Sequence, residues 1–115
     1  IMNEATLKNK ITVIGVGAVG STIAYSLMIK NLASEITLVD VNKEKQKGEV
    51  TDISDALSFS ETSSVKAGDY DSIKDADIII LTAGAAQKEG ESRLELLNKN
   101  KNIITSIFKE IKEIK

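Results

Sequence analysis

The segment Gly15-Val16-Gly17-Ala18-Val19-Gly20 spaces three glycines as G-x-G-x-x-G, directly after the β-branched run Ile11-Thr12-Val13-Ile14. Each glycine has its own mechanical reason in such a turn. The first permits a tight reversal, the second lets an anion approach the backbone, and the third lets a following helix pack closely on the strand. The helix N-terminus presents free N–H groups and the positive end of its dipole, so a pyrophosphate needs no basic side chain there. Such glycines also serve plain turn geometry, and the motif gains weight from a second feature. Asp40 ends the next apolar run, Ile36-Thr37-Leu38-Val39, about 20 residues after the last glycine, where a carboxylate accepts hydrogen bonds from both hydroxyls of an adenosine ribose. A strand-end aspartate alone is ordinarily a turn former or a cap. Together the two features predict a dinucleotide site, with NAD favoured over NADP because a carboxylate repels a 2′-phosphate.

Other chemistries are excluded by residue type. The chain has no cysteine and no histidine. Disulfides, thiol nucleophiles, the usual zinc sites and imidazole acid–base work therefore have no carrier here, and no metal site is expected. The formal charge is -2, with both signs interspersed and no basic stripe to track a phosphodiester backbone, so nucleic acid is not an expected partner. No apolar run approaches the roughly 20 residues that span a bilayer, and the expectation is a soluble, cytoplasmic protein without a membrane partner.

The elements that must position these residues alternate strand and helix. Ile11–Ile14 reads as the first strand, and Ile23, Ala24, Leu27 and Met28 recur at helical spacing until Lys30-Asn31. Ile36–Val39 is the second strand, and Asn42 to about Phe59 carries Val50, Ile53 and Leu57 at helical spacing. A brief strand at Val65–Ala67 precedes the turn signal Gly68-Asp69, with a short helical turn over Asp71–Asp75. Asp77-Ile78-Ile79-Ile80-Leu81-Thr82 is a continuous apolar strand of the kind covered on both faces, expected deep in the sheet. After a glycine-punctuated loop, Ser92-Arg93-Leu94-Glu95 fits a capping box opening a long helix that carries Leu94, Leu97, Ile104, Phe108 and Ile111. This alternation predicts an α/β fold, a Rossmann-type doubly wound parallel sheet of about four strands in the order 3-2-1-4. A complete sheet of that type sets a fifth strand beside the fourth, and nothing after Ile80-Leu81 supplies one. So apolar an edge is sticky, and the start at Ile1-Met2 and the uncapped helical pattern at Phe108–Lys115 also read as cuts. Residues 1–115 are thus expected to form one dinucleotide-binding domain with a C-terminal substrate domain absent.

The loop narrows the chemistry. Thr82-Ala83-Gly84-Ala85-Ala86-Gln87-Lys88-Glu89-Gly90-Glu91-Ser92-Arg93-Leu94-Glu95-Leu96-Leu97 resembles the coenzyme and substrate loop of the L-lactate and malate dehydrogenase family. The glycine turn, Asp40 and Lys47-Gly48-Glu49-Val50-Thr51-Asp52 resemble the same family in the same order, from about Lys10 to Ile111. The resemblance implies an NAD-dependent oxidoreductase in which Gly15, Val16, Gly17, Ala18, Val19, Gly20, Asp40, Thr82, Ala83 and Gly84 contact NAD(H). Arg93 matches the family's mobile-loop arginine, which polarises the substrate carbonyl and stabilises the growing oxyanion, a contact strongest where loop closure excludes water. A cation in the first turn of a helix opposes the dipole, so helix stability does not account for it. Gly84 and Gly90 would flank the moving segment. Gln87 matches the position facing the substituent on the substrate's second carbon. A neutral amide there suits a small aliphatic group, whereas an arginine suits a second carboxylate, so pyruvate and lactate are the favoured pair of small 2-oxo and 2-hydroxy acids.

Two positions depart from the pattern. Ala86 stands where many relatives have arginine or asparagine, which removes a side-chain contact to cofactor phosphates. Asp55 stands where many lactate dehydrogenases have histidine, on a helix that packs against a second subunit; the complete enzyme is expected to be a homo-oligomer. The family's histidine–aspartate proton relay and its carboxylate-clamping arginine lie in the C-terminal half, so the fragment alone is expected to be inactive. The alternatives are a malate dehydrogenase, and a non-catalytic nucleotide-binding or interaction module with the same half-fold; Arg93 and Gln87 favour the enzyme, because a purely structural domain needs neither.

Overall fold

Runs such as Ile36-Thr37-Leu38-Val39 are too short for a stable helix and too apolar for an exposed strand, and they pair into a sheet covered on both faces. The computed structural model describes residues 9–56 and 64–114. Its four strands are β1 (Lys10–Ile14), β2 (Glu35–Val39), β3 (Ser64–Ala67) and β4 (Ile78–Leu81), all parallel and ordered β3-β2-β1-β4. The 3-2-1-4 order expected from the alternating elements is the observed one. Ile14 is in register with Val39 on one side and Leu81 on the other, so β1, β2 and β4 end flush and their loops emerge together.

Alternation along the strands splits the core in two. Ile11, Val13, Ile36 and Leu38 pack with Ala24 and Met28 of α1 (Ala18–Ile29) and with Ile53 of α2 (Lys43–Ala56). Ile14 and Val39 face the other way, toward Ile73 in a 3-10 helix (Tyr70–Asp75) and Ile107 in α3 (Arg93–Ile114). Thr12 and Thr37 are buried on that second face. Helices on both faces make the sheet doubly wound. α1 closes with Asn31 at φ 60, whose N–H meets the Met28 carbonyl while Leu32 N–H meets that of Leu27. Both bonds satisfy carbonyls left free at the helix end. In α2 the buried Gln46 donates from Nε2 to the Leu38 carbonyl at 2.5 Å and the Gly68 carbonyl at 2.6 Å, tying the helix to the ends of β2 and β3. Helical spacing predicts this helix to about Phe59 through Leu57, and those two residues lie outside the described ones.

Two expectations are corrected. β4 does not lie deep in the sheet: it is an edge strand, paired only with β1 among the described residues, and Ile78 is 49% exposed. No residue of β4 is fully buried: Ile80 is partly covered on the α1 side and Ile79 and Leu81 on the α3 side, so its apolar run is only partly sheltered. Nor do the five apolar residues expected along α3 share one face, since only Ile111 of them packs on the sheet. The capping box is present, with Glu95 N–H donating to Ser92 Oγ at 3.1 Å and Ser92 N–H to Glu95 Oε2 at 3.4 Å. The stripe that packs on the sheet, however, is Ile103, Ile107, Ile111 and Ile114, while Leu94, Leu97, Ile104 and Phe108 point outward. Among the described residues no helix is long and apolar enough to cross a membrane.

The face assignment has a direct consequence for stability. Ile107→Ala, which hollows the second core layer, is expected to lower unfolding free energy by about 2–4 kcal/mol. Leu97→Ala is expected to change it by no more than about 0.5 kcal/mol, and urea titration of both variants separates the two faces.

Candidate cofactor site

The turn after β1 requires glycine at Gly15 for both backbone conformation and space, and at Gly20 for space alone. Gly15 has φ +99, and a Cβ placed on it would sit 2.6 Å from the Ala83 nitrogen and 2.7 Å from the Ala83 Cα, so β4's continuation passes directly over this backbone. A Cβ on Gly20 would overlap the Gly15 carbonyl oxygen and approach Thr82 Oγ1. Gly17 differs: an added Cβ there meets nothing within 4 Å, so its backbone borders open space. The turn is fastened by Gly15 N–H to the Val39 carbonyl at 2.8 Å, Thr82 N–H to the Ile14 carbonyl at 2.9 Å, and Thr82 Oγ1 to the Gly15 carbonyl at 2.7 Å. Gly17 is the N-cap of α1 and offers no side chain to the first-turn N–H groups, and the first turn carries no acidic residue. An anion therefore meets unopposed donors and the positive end of the helix dipole there. Ala18 and Val19 are exposed on that turn, whereas the Val16 side chain is fully buried in the core.

Asp40 is half-buried and fixed by backbone donors. Its Oδ2 accepts from Val16 N–H and its Oδ1 from Asn42 N–H, each at 2.8 Å. A carboxylate has about four acceptor positions, so two remain for a ligand. Beside it opens a cleft of about 540 Å³ that gathers Gly15, Gly17, Asp40, Thr82, Ala83 and Gly84, six of the ten residues expected to contact the cofactor. Its other wall, which no motif in the sequence marks, is made by Val41, Tyr70, Ile103 and Ile107 with Asn102 and Ser106 beside them. Val41 is 86% exposed, an apolar side chain with no protein cover beside a fixed carboxylate. Burial, and then the nearby Glu110 and Asp40, push the Tyr70 phenol above its usual range, so it stays a neutral hydrogen-bonding group.

The loop from Thr82 to Ser92 leaves this cleft along α3. Ala85 N–H donates to Asn100 Oδ1 at 2.7 Å, which fixes the loop's first part to the helix. Beyond it Ala86, Gln87 and Arg93 are exposed, and neither Gln87 nor Arg93 lines the cleft. The Gln87 side chain donates from Nε2 to the Glu91 carbonyl at 2.8 Å. Gly90 has φ +80, whereas Gly84 has ordinary backbone geometry, so of the two expected flanks only Gly90 needs to be glycine.

Residues 9–115 match the family described as lactate/malate dehydrogenase, NAD binding domain. The chain belongs to that family. It is 55% identical over 102 residues to L-lactate dehydrogenase 1 of Clostridium acetobutylicum, covering 89% of this chain and 33% of that protein. With an L-lactate dehydrogenase of Clostridium botulinum the identity is 52% over 102 residues, 89% of this chain and 32% of the relative. The chain thus spans about a third of the length of the curated relatives it matches. Among solved structures it superposes on the ligands-bound minor L-lactate dehydrogenase of Enterococcus mundtii with a TM-score of 0.88 and 38% identity, over 94% of this chain and 35% of that one. The ligands-unbound form of the same enzyme gives 0.80 at 36% identity, over 93% and 33%.

The groups gathered here fit the cofactor of an NAD-binding domain: Gly17 would offer open backbone to a pyrophosphate, Asp40 spare acceptor positions to a diol, and the apolar wall a surface to a base. The domain's three motif glycines are expected to respond differently to alanine. Gly15→Ala and Gly20→Ala meet backbone or strain, and each is expected to cost more than about 2 kcal/mol in thermal or urea unfolding. Gly17→Ala is expected to cost within about 1 kcal/mol, the difference between glycine and alanine at an N-cap, while weakening NADH binding measured by calorimetry.

Proposed function

We propose that this chain is the cofactor-binding domain of an NAD-dependent L-lactate dehydrogenase, which interconverts pyruvate and lactate. The reading rests on one observation above the others: the rigidly held carboxylate of Asp40 faces the same cleft as the open backbone of Gly17. Backbone N–H groups of the Gly15–Gly20 turn hold the pyrophosphate, Asp40 accepts from the adenosine ribose hydroxyls, and Val41, Tyr70, Ile103 and Ile107 wall the adenine. Thr82, Ala83 and Gly84 line the path toward the nicotinamide. Asp40 arrives already ordered by two backbone bonds, which lowers the ordering cost of binding.

Bound NADH supplies the hydride for the 2-oxo carbon. Arg93, at the start of α3, donates to the substrate carbonyl and stabilises the alkoxide that develops there, while loop closure excludes water. Gln87 lies against the substrate's second-carbon substituent, which requires its amide to exchange the Glu91 carbonyl for the substrate side. Its neutrality supports a methyl group over a carboxylate, and so pyruvate over oxaloacetate. The chain contains no histidine, and the proton donor belongs to the remainder of the enzyme. We assign the edge of β4 that is unpaired among the described residues, and the outer stripe of α3, Leu94, Leu97, Ile104 and Phe108, to contacts with further protein, either that remainder or another subunit of a homo-oligomer. A cytoplasmic location accords with this role.

Two measurements test the assignment. Asp40→Ser is expected to weaken NADH binding about tenfold and to narrow discrimination against NADPH by about a hundredfold; unchanged discrimination removes Asp40 from the ribose site. In the full-length enzyme, Gln87→Arg is expected to move the ratio of kcat/KM values from pyruvate toward oxaloacetate, and an unmoved ratio removes Gln87 from the substrate pocket.

A further inference from the structure

From Ala86 to Glu95 every residue is exposed except Glu91, whose side chain keeps only 13% of its accessibility. A lone covered carboxylate in a solvated loop marks the point on which the loop is built. Its Oε1 accepts the Lys88 N–H at 3.0 Å and its Oε2 pairs with Lys99 Nζ of α3 at 3.4 Å. Its own N–H donates to the Lys88 carbonyl at 3.0 Å, and its carbonyl accepts the Gln87 amide at 2.8 Å. Lys88 to Glu91 is therefore a four-residue turn with Gly90, φ +80, at the position where a type II turn requires positive φ. One residue closes this turn from inside and fastens it from outside to the helix whose first residue is Arg93.

We infer that Glu91 is the positioning residue of the substrate loop: it fixes the distance between Gln87 and Arg93, and through them the discrimination among 2-oxo acids, without acting on the cofactor. The inference rests on the lactate dehydrogenase reading for the roles of Gln87 and Arg93. Glu91 itself touches no reacting atom. Two separate links carry its effect, the turn bond to Lys88 and the ion pair to Lys99, and a charge-assisted bond of either kind outlasts the neutral contacts elsewhere in an exposed loop. The charge is present at neutral pH, because the Lys88 N–H and then Lys99 hold the carboxyl below its usual range against the opposing effect of its burial. A carboxylate with a lowered value contributes its order above the ordinary glutamate range, and that order is lost as pH falls through the lowered value. Lys88 and Lys99 are the charged groups facing it from the loop and from α3.

The test uses the full-length enzyme with variants Glu91→Ala, Glu91→Gln and Lys99→Met, measuring NADH affinity and steady-state kinetics with pyruvate, oxaloacetate and a bulkier aliphatic 2-oxo acid. In Glu91→Ala, KM for pyruvate is expected to rise about tenfold, with the preference over the bulkier acid narrowed and NADH affinity unchanged. Glu91→Gln keeps an acceptor for Lys88 N–H and loses the ion pair, so its effect is expected to be smaller and equal to that of Lys99→Met. Lys99→Arg is expected to retain wild-type kinetics. In nuclear magnetic resonance spectra of the present chain, the Lys88 amide is expected to titrate with the Glu91 carboxyl and to lose its protection from exchange in Glu91→Ala. Unchanged pyruvate KM and acid preference in Glu91→Ala overturn the proposal, as does a fall in NADH affinity that matches the rise in KM. A wild-type enzyme that prefers oxaloacetate instead overturns the lactate assignment; the Glu91 variants then test the positioning role on oxaloacetate itself.

Discussion

Gly15 is held from two directions at once: its N–H donates to Val39 at the end of β2, and its carbonyl accepts the Thr82 hydroxyl from the end of β4. Because β1 lies between those two strands and all three end in register, the turn after β1 has its height and tilt set by both neighbours. Space is exhausted there, with Ala83 against the α-carbon of Gly15 and Thr82 against that of Gly20. The remaining freedom lies on the outer side, at Gly17, and there the chain opens its backbone to solvent. A binding surface made of main chain thus gains rigidity from the sheet beneath it rather than from side chains around it. Asp40 joins the same assembly through Val16 N–H, so the carboxylate and the turn are one rigid piece.

This arrangement divides the domain by tolerance. The floor of the cleft, from Gly15 through Thr82 to Ala83, is held by short bonds between strand ends, whereas its far wall comes from the 3-10 helix and α3, which meet the sheet through Ile73 and Ile107. Side chains on that wall pack by shape, and a methylene more or less is absorbed by its neighbours to an extent that backbone crowding at Gly15 does not allow. The loop beyond Gly84 is a third regime, exposed and held by the anchors Asn100 and Lys99 on one helix. Restraint thus decreases from the glycine turn through the far wall of the cleft to the exposed loop.

What was legible in the sequence follows the same division. Gly15, Gly20 and Asp40 could be read because a demand on backbone conformation, or on a strand end, leaves a residue type at a fixed spacing. Strand order could be read because alternation and chain connectivity restrict it. The inward face of α3 could not. That helix has two apolar stripes, Leu94, Leu97, Ile104 and Phe108 on one side and Ile103, Ile107, Ile111 and Ile114 on the other, and helical periodicity fits both. The choice is made by Ile14, Val39 and Ile73, which lie far away in sequence. Tyr70, Ile103 and Ile107 were missed as cleft residues for the same reason, since only the packed fold brings three separate elements to Asp40. Glu91 resembles any surface glutamate until its four bonds are seen together. The edge position of β4 followed from the expected strand order, whereas its burial was misjudged, because a continuous apolar run carries no information on how fully neighbouring elements cover the strand.

The locking of the first turn by the last strand also sets an order in time. β1 can pair with β2 soon after both are made, and β3 can follow, each contact spanning a modest stretch of chain. The partner of β1 on its other side, and the hydroxyl that fastens Gly15, arrive only with β4 and Thr82, 67 residues later in the chain. On a ribosome adding about 5–20 residues per second, the glycine turn spends several seconds outside the tunnel without its final restraint. The oldest part of the cofactor site is therefore among the last to become rigid. A nascent chain caught in that interval has the recognition residues in sequence but not yet in place.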